Sequence, residues 1–253
     1  MHRSLLLVFI LVGCSSPQHG PPTPAESQGT VGDWIRGGAL YDKWWVVADV
    51  PKPTTDHPLW DTRPDKETNK RRGATTWRCK ECHAWDYQGA AGAYSSGSHH
   101  TGFPGVAVAT SKDAQTLFTI IRDQHGYGNA GLQDPDVRDL VAFIQQGVTD
   151  VRRFIDDKKA IRGDASAGDT AYHTGHPNQP SCADCHGDKG LMAPDNPEFD
   201  DYLGKVGRKN PWELIHKIRF GQPGTDMPAS AKLWSLETVT NLGAYVQTLP
   251  QSP

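Results

Sequence analysis

Two short motifs place thiols and an imidazole at a spacing suited to one kind of chemistry. Residues 79–83 read CKECH and residues 182–186 read CADCH. In a CxxCH segment two thiols can add across the vinyl groups of a haem, and the adjacent histidine is then held beneath the iron as proximal ligand. The motifs predict two covalently bound haem c groups. The attaching cysteines are Cys79, Cys82, Cys182 and Cys185, and the proximal iron ligands are His83 and His186.

Paired cysteines also serve three other chemistries: a zinc site built from two CxxC pairs, a thioredoxin-like redox pair, and disulfides in an oxidising compartment. A zinc ribbon does not need a histidine directly after each pair, and a disulfide framework does not need that histidine twice. The repeated histidine therefore favours haem attachment over these alternatives.

Helical signals follow the first motif. Ser111 can cap a helix with apolar residues at positions 114, 117, 118 and 121, and this helix is expected to end near Arg122. After a Gly-rich loop, Asp134 and Pro135 supply an N-cap and a first-turn proline for another helix, which carries Phe143 near its end.

The same order of signals follows the second motif, which indicates a duplicated helical unit. Asn210 and Pro211 open a helix ending at Arg219, and Ser235 can cap a final helix that contains Tyr245. Phe143 lies 60 residues after the first haem histidine, and Tyr245 lies 59 residues after the second. The two copies are therefore nearly in register.

Each unit also has a candidate first helix upstream of its motif, around residues 38–41 and 168–172. The first unit is longer between this helix and its motif, by about 28 residues. We place this Trp- and Pro-rich insertion at about 44–76. It is interpreted as a loop packed over one haem face by aromatic burial, or alternatively as a surface for docking a partner.

These signals predict an all-α fold with two tandem helical haem domains. The first domain is assigned to residues 33–157 and the second to residues 158–253, with the boundary in the charged stretch 147–163. The succession of helix, CxxCH, Gly/Pro loop, helix ending in Ile-Arg, Gly-rich loop with Met-Pro and final helix resembles class I cytochrome c. The resemblance covers nearly all of the second half, whereas the first half departs in its insertion and distal loop.

The resemblance implies a methionine as the sixth iron ligand of the second domain. Met227 lies in the loop 220–228, which looks like the loop that carries a thioether to the distal side of the iron. Met192 follows the proximal histidine, in the segment that this family uses on the proximal side. The family also makes Pro194 a candidate for supporting His186 through its backbone carbonyl.

The first domain has no methionine between Cys79 and Phe154, so its sixth ligand must differ. His125 lies in the loop corresponding to that of Met227 and is the leading candidate. His99 and His100, or a water-bound or open iron, are the alternatives. Because methionine sulfur favours reduced iron relative to a second imidazole, we expect the higher potential at the second haem.

The N-terminus predicts export and lipid anchoring. Residues 1–13 read as a signal peptide with an eight-residue apolar run, and Gly13-Cys14 resembles a bacterial lipobox, so Cys14 is the expected lipidation site. Residues 14–32 read as a flexible tether rich in Pro, Ser and Gly. The protein is expected on the periplasmic side of a membrane, with the outer membrane favoured by Ser15.

The charge balance argues against nucleic acid as a partner, because 29 acidic residues outnumber 26 basic ones. The leading functional prediction is single-electron transfer between redox proteins. One alternative is a haem enzyme, peroxidase-like or thiosulfate dehydrogenase-like, with the first domain catalytic and the second as electron port. Another is a cytochrome subunit of a respiratory complex.

Overall fold

The computed structural model describes residues 32–192 and 202–253, which form α-helices joined by loops that are long on both sides of α2. No strand occurs in these two stretches, which confirms the predicted all-α class. No helix within them has the length and apolar character needed to cross a bilayer. The predicted signal peptide and Cys14 lie outside the described residues. The helices are α1 (Trp34–Val47), α2 (Cys79–His83), α3 (Ala114–Thr119), α4 (Asp134–Ala142), α5 (Ala165–Thr174), α6 (Cys182–His186), α7 (Leu203–Lys209), α8 (Pro211–Phe220) and α9 (Leu236–Val246).

Two hydrophobic cores divide these helices into two domains. The first core contains Trp44 of α1 and Val141 of α4, and the second contains Tyr172 of α5. Val151 and Phe154 pack in the second core, although the predicted boundary assigned them to the first domain. The change of core therefore falls between Val148, which packs against the first core, and Val151, which is buried in the second.

The first and last helices of each domain cross through the same close contact. A Cβ atom added to Gly37 would lie 2.0 Å from the carbonyl oxygen of Asp139, and one added to Gly168 would lie 2.0 Å from that of Asn241. Only glycine lets two helix backbones approach this closely. Both halves therefore share one scaffold, as the register of the sequence signals predicted.

Two predicted helix caps are wrong and two are confirmed. Asp113 caps α3 instead of Ser111, because its carboxylate reaches the backbone N of Thr116 at 2.8 Å. Gln133 caps α4 instead of Asp134, in a capping box that shifts the cap by one residue. The confirmed caps are Asn210 for α8 and Ser235 for α9.

The insertion of the first domain begins later than predicted. Helix α1 kinks at Lys43 but continues to Val47, so Trp44 and Trp45 belong to this helix and pack in the first core. Beyond α1 the chain forms two 3₁₀ turns, Pro58–Thr62 and Gly73–Trp77, and Trp60 is fully buried. Aromatic burial therefore anchors the insertion on its own domain.

A buried histidine joins the two domains. His216 of α8 donates from Nε2 to the carbonyl oxygen of Gly38 in α1 at 3.0 Å, so its Nδ1 accepts from the Tyr87 hydroxyl at 2.8 Å. The Trp85 ring lies 4.8 Å from the imidazole, measured between centroids. Phe220, at the end of α8, is itself part of the first core. The interface thus contains buried hydrogen bonds and a shared apolar core.

The His216 contact predicts a pH-dependent stability. Burial lowers the pKa of His216 to about 3. Between about pH 3 and pH 6.5 the unfolded chain binds this proton and the folded chain does not, so stability rises with pH by up to about 1.4 kcal/mol per unit. The stabilisation is complete above about pH 6.5 and is lost as the pH falls.

We expect His216→Gln, which does not titrate, to flatten this dependence by about one proton. Urea unfolding at pH 4, 5, 6 and 7 measures the effect. An unchanged slope in the variant would show that His216 is not the group responsible.

Candidate haem-binding site

Helices α2 and α6 hold the two CxxCH motifs in one conformation. A single helical turn places residues i, i+3 and i+4 on one side, so both cysteines and the histidine of a motif share a face. Each helix ends at a residue with positive φ, 64° at Ala84 and 69° at Gly187. The hydroxyls of Tyr41 in α1 and Tyr172 in α5 donate to the carbonyl oxygens of these residues, each at 2.7 Å. The anchoring of the motif is therefore duplicated.

A cleft with mostly apolar walls opens beside α2 in the first domain. It contains about 1090 Å³ of empty space, including the part open to solvent, and the motif residues Cys79, Cys82 and His83 line it together with His125. Apolar walls with a few polar groups suit a large, mostly apolar cofactor. The principal apolar lining residues are Leu59, Phe103, Val106, Leu117, Ile121, Leu140 and Ile144.

The cleft brings together two imidazoles that are poised for metal binding. The ring centroids of His83 and His125 lie 6.2 Å apart. Nδ1 of His83 lies 2.6 Å from the Pro104 carbonyl oxygen, and Nδ1 of His125 lies 2.9 Å from that of Ile120. Since a carbonyl oxygen only accepts, each Nδ1 carries the hydrogen and each Nε2 keeps a lone pair for a metal.

The spacing of these rings fits one iron between them. Metal–imidazole bonds of about 2.0 Å, with roughly 1.1 Å from the nitrogen to the ring centre, put two rings on opposite sides of one metal about 6.2 Å apart. His83 and His125 show this separation. The apolar cleft, its two cysteines and the spacing of its two imidazoles therefore fit a haem attached through Cys79 and Cys82, with His83 and His125 as the residues that would ligate the iron.

Burial sets the protonation states of the candidate ligands. It lowers the pKa of His83 to about 4 and also lowers the pKa of His125, so both imidazoles are neutral at neutral pH, the form that binds metals. Burial also raises the pKa of the Cys79 thiol to about 11 and that of Cys82 to about 12.

These thiols do not match the other chemistries that paired cysteines serve. A thioredoxin-like pair needs a lowered thiol pKa, whereas burial raises the pKa of Cys182 to about 11 and also raises those of Cys79 and Cys82. The four motif cysteines are free of disulfides, and the two pairs belong to different domains. This separation leaves no place for a zinc ion shared by both pairs.

Two cleft residues that sequence reasoning missed lie beside His125. The Tyr127 ring stacks at 6.3 Å from the His125 ring, and its hydroxyl donates to the Trp77 carbonyl oxygen at 2.8 Å. The His57 ring lies 6.4 Å from the His125 ring and comes from the insertion. The Gly-Tyr-Gly sequence after His125 is a signal that could have drawn attention to Tyr127. No spacing rule connects His57 to the motif.

The alternative ligands His99 and His100 are placed away from the cleft. Nδ1 of His99 lies 3.5 Å from the buried carboxylate of Glu81, and its ring stacks on Tyr94 at 4.8 Å. Nδ1 of His100 bonds the Tyr94 carbonyl oxygen at 2.7 Å. Neither residue is among those that line the cleft.

In the second domain no contact or cleft among the described residues joins the two predicted ligands, His186 and Met227. Nδ1 of His186 lies 3.3 Å from the Met192 carbonyl oxygen, whereas Pro194, the predicted support, lies outside the described residues. Met227 is half-buried in the loop after α8, where its carbonyl oxygen accepts from the Gln222 backbone N at 3.4 Å. The same loop contacts α1 of the first domain, since a Cβ on Gly224 would lie 3.2 Å from Val46.

Comparison with known proteins finds a similarity in the second domain. Residues 164–246, from the N-cap of α5 to the last residue of α9, match the family described as "Cytochrome C oxidase, cbb3-type, subunit III". The CADCH motif and the helices α5 to α9 lie within the matched residues. A solved structure that is similar to the chain is reduced recombinant cytochrome c4 from Pseudomonas stutzeri, at 18% identity and a TM-score of 0.26 over 68% of this chain and 93% of that chain. A comparison with curated proteins found no match.

The geometry predicts that His125 is needed for a six-coordinate first haem. We expect His125→Ala to convert the first haem from low-spin to high-spin, about half of the total haem, as recorded by the ferric optical spectrum. His99→Ala removes an imidazole outside the cleft and should leave the spectrum unchanged. A spin change in His99→Ala but not in His125→Ala would contradict the placement.

Proposed function

We propose that the protein is a dihaem c-type cytochrome that passes single electrons between redox partners. The observation that carries this proposal is the 6.2 Å separation of His83 and His125, each held by a backbone carbonyl. Ligands fixed by the backbone on both faces leave little geometry to change between oxidation states, which suits electron relay. When bound, each haem supplies a one-electron Fe(III)/Fe(II) couple.

The residues have distinct roles in this proposal. Cys79 and Cys82 hold the first haem, and the apolar walls of the cleft exclude water from it. Pro104 and Ile120 orient the two imidazoles through their carbonyl oxygens, which fixes the tautomer of each ring. In the second domain Cys182 and Cys185 would hold the haem.

The two domains would differ in potential because their distal ligands differ. We assign His125 to the first iron, and His186 with Met227 to the second. A thioether stabilises the reduced iron more than a second imidazole does, so the second haem would have the higher potential. Electrons would then run from the first domain to the second, across the interface formed by His216.

The proposal includes a location outside the cytoplasm. A lipid on Cys14, followed by a flexible tether, would hold the two domains near a membrane on the periplasmic side. Partners would be redox proteins met in weak, short-lived complexes.

The matched family favours a second candidate, a subunit of a respiratory complex. The printed description of that family names a subunit of a cytochrome c oxidase, and the match covers the whole second domain from α5 to α9. Purification from native membranes in mild detergent distinguishes the candidates. A complex subunit would co-migrate with other subunits, and a carrier would migrate alone.

Covalent haem attachment is tested directly by mass. We expect the purified mature protein to exceed the mass of residues 14–253 plus the lipid by two haem groups after denaturation, and Cys79→Ala combined with Cys82→Ala to remove one of them. A chain with no added haem mass and no Soret absorption would overturn the proposal.

The ligand assignment of the second haem is tested by its potential. Met227→His should lower the potential of one haem by on the order of 0.1 V, because imidazole replaces the thioether. Met192→Leu, which changes an exposed methionine near His186, is the matched control and should leave both potentials in place. Equal potentials for both haems in the unmodified protein would contradict the assigned direction of transfer.

A further inference from the structure

Tyr127 is a buried side chain beside the candidate sixth ligand, and the electron-transfer proposal gives it no role. It lies two residues after His125, is 5% exposed, and its ring is nearly parallel to that of His125, with 14° between their planes. Its hydroxyl donates to the Trp77 carbonyl oxygen at 2.8 Å and lies 3.7 Å from Sγ of Cys79. Tyr127 therefore reaches from the distal ligand to the haem-attaching segment.

Two hydrogen bonds orient His125 within its own loop. Its backbone N and its Nδ1 both bond the carbonyl oxygen of Ile120, at 2.8 Å and 2.9 Å. Ile120 begins the π-helical turn Ile120–Gln124 that precedes the ligand. Because these bonds stay inside one short segment, they do not set the distance between His125 and the motif that carries His83.

Tyr127 links this loop to the motif over a long separation in sequence. Its hydroxyl bond spans 50 residues, and Trp77 lies two residues before Cys79. Its ring packs at 5.6 Å from that of Trp44 and at 5.8 Å from that of Trp77, between centroids, and all three side chains belong to the first core. A link between the distal loop and the motif acts directly on the gap in which an iron must fit.

We propose that Tyr127 is a positioning residue that holds His125 on the iron of the first haem by tying the distal loop to the backbone before the CKECH motif. This inference rests on the proposed function, because it takes His125 as the sixth ligand. An imidazole held in this way resists replacement by small molecules that bind ferric iron. Tyr127 thereby keeps the first haem closed to exogenous ligands.

Tyr127→Phe removes the link without leaving an unpaired group. The Trp77 carbonyl oxygen also accepts from Nε1 of Trp44 at 3.1 Å, so it keeps one donor when the hydroxyl is lost. The aromatic ring and its packing remain. The variant therefore tests the hydrogen bond alone.

Tyr41→Phe is the matched control. Tyr41 is 1% exposed, lines the same cleft, and donates its hydroxyl to the Ala84 carbonyl oxygen at 2.7 Å. That oxygen also accepts from the Tyr87 backbone N at 3.3 Å. Each variant thus loses one buried hydroxyl of the same core from an acceptor that keeps another donor, but only Tyr127 lies in the distal loop.

The test uses purified mature ferric protein, with potassium cyanide as the probe. Cyanide binds iron as the anion in place of the sixth ligand, and its proton passes to solvent. Loss of the bis-histidine electron paramagnetic resonance signal with rising cyanide gives the affinity of the first haem separately from that of the second. We expect Tyr127→Phe to raise this affinity about fivefold, the equivalent of one net hydrogen bond, and Tyr41→Phe to change it less than about twofold.

A double variant shows whether Tyr127 acts through His125. In His125→Ala the first iron has no imidazole to be displaced, so adding Tyr127→Phe should leave its cyanide affinity unchanged. The conversion of high-spin to low-spin haem in the optical spectrum measures binding in this background. Haem content and melting temperature identify any variant that fails to fold.

The results that would overturn the inference differ in what they say of the proposed function. An unchanged affinity in Tyr127→Phe, an equal rise in Tyr41→Phe, or a rise that persists in the His125→Ala background removes the inference and leaves electron transfer intact. A bis-histidine signal that survives in His125→Ala means that another group is the sixth ligand, which contradicts the ligand assignment as well.

Discussion

The proposed haem site of the first domain depends on one distance, the 6.2 Å between the rings of His83 and His125. Two imidazoles can share an iron only at this separation, and each must keep Nε2 free. The backbone meets both conditions, since the Pro104 and Ile120 carbonyl oxygens accept from Nδ1 of the two rings. The loop before Val106 and the π-turn after α3 can therefore be understood as supports for two side chains.

The same scaffold carries two different distal sides. In both domains a glycine of the first helix meets a carbonyl of the last helix, and a tyrosine of the first helix fixes the residue after the CxxCH motif. These contacts surround the CxxCH helix of each domain, so the two motifs are held in the same way. The distal loops differ, and the domain interface through His216 sets the two sites in a fixed relation.

The sequence predicted the parts of this structure that follow local rules. Helix order, the duplicated register and the caps at Asn210 and Ser235 depend on neighbouring residues, and the CxxCH spacing carries its own geometry. The caps of α3 and α4 were placed one or two residues away, because several polar residues before each helix can accept from its free N–H groups.

Long-range contacts could not be predicted in this way. His57 reaches the cleft because Trp60 and Trp77 bury the insertion against the first domain, and His216 reaches Gly38 across the domain interface. The carbonyl oxygen that supports His83 belongs to Pro104, 21 residues further along the chain. For His186 the family resemblance implied Pro194, a proline soon after the second motif. Such contacts depend on how whole segments pack, which one sequence does not encode in its local pattern.

The most direct test of the account is a low-temperature electron paramagnetic resonance spectrum of the oxidised full-length protein. The account predicts two low-spin ferric signals of equal intensity, one typical of bis-histidine ligation and one of histidine–methionine ligation. A dominant high-spin signal, or a single low-spin species accounting for all the haem iron, would contradict it.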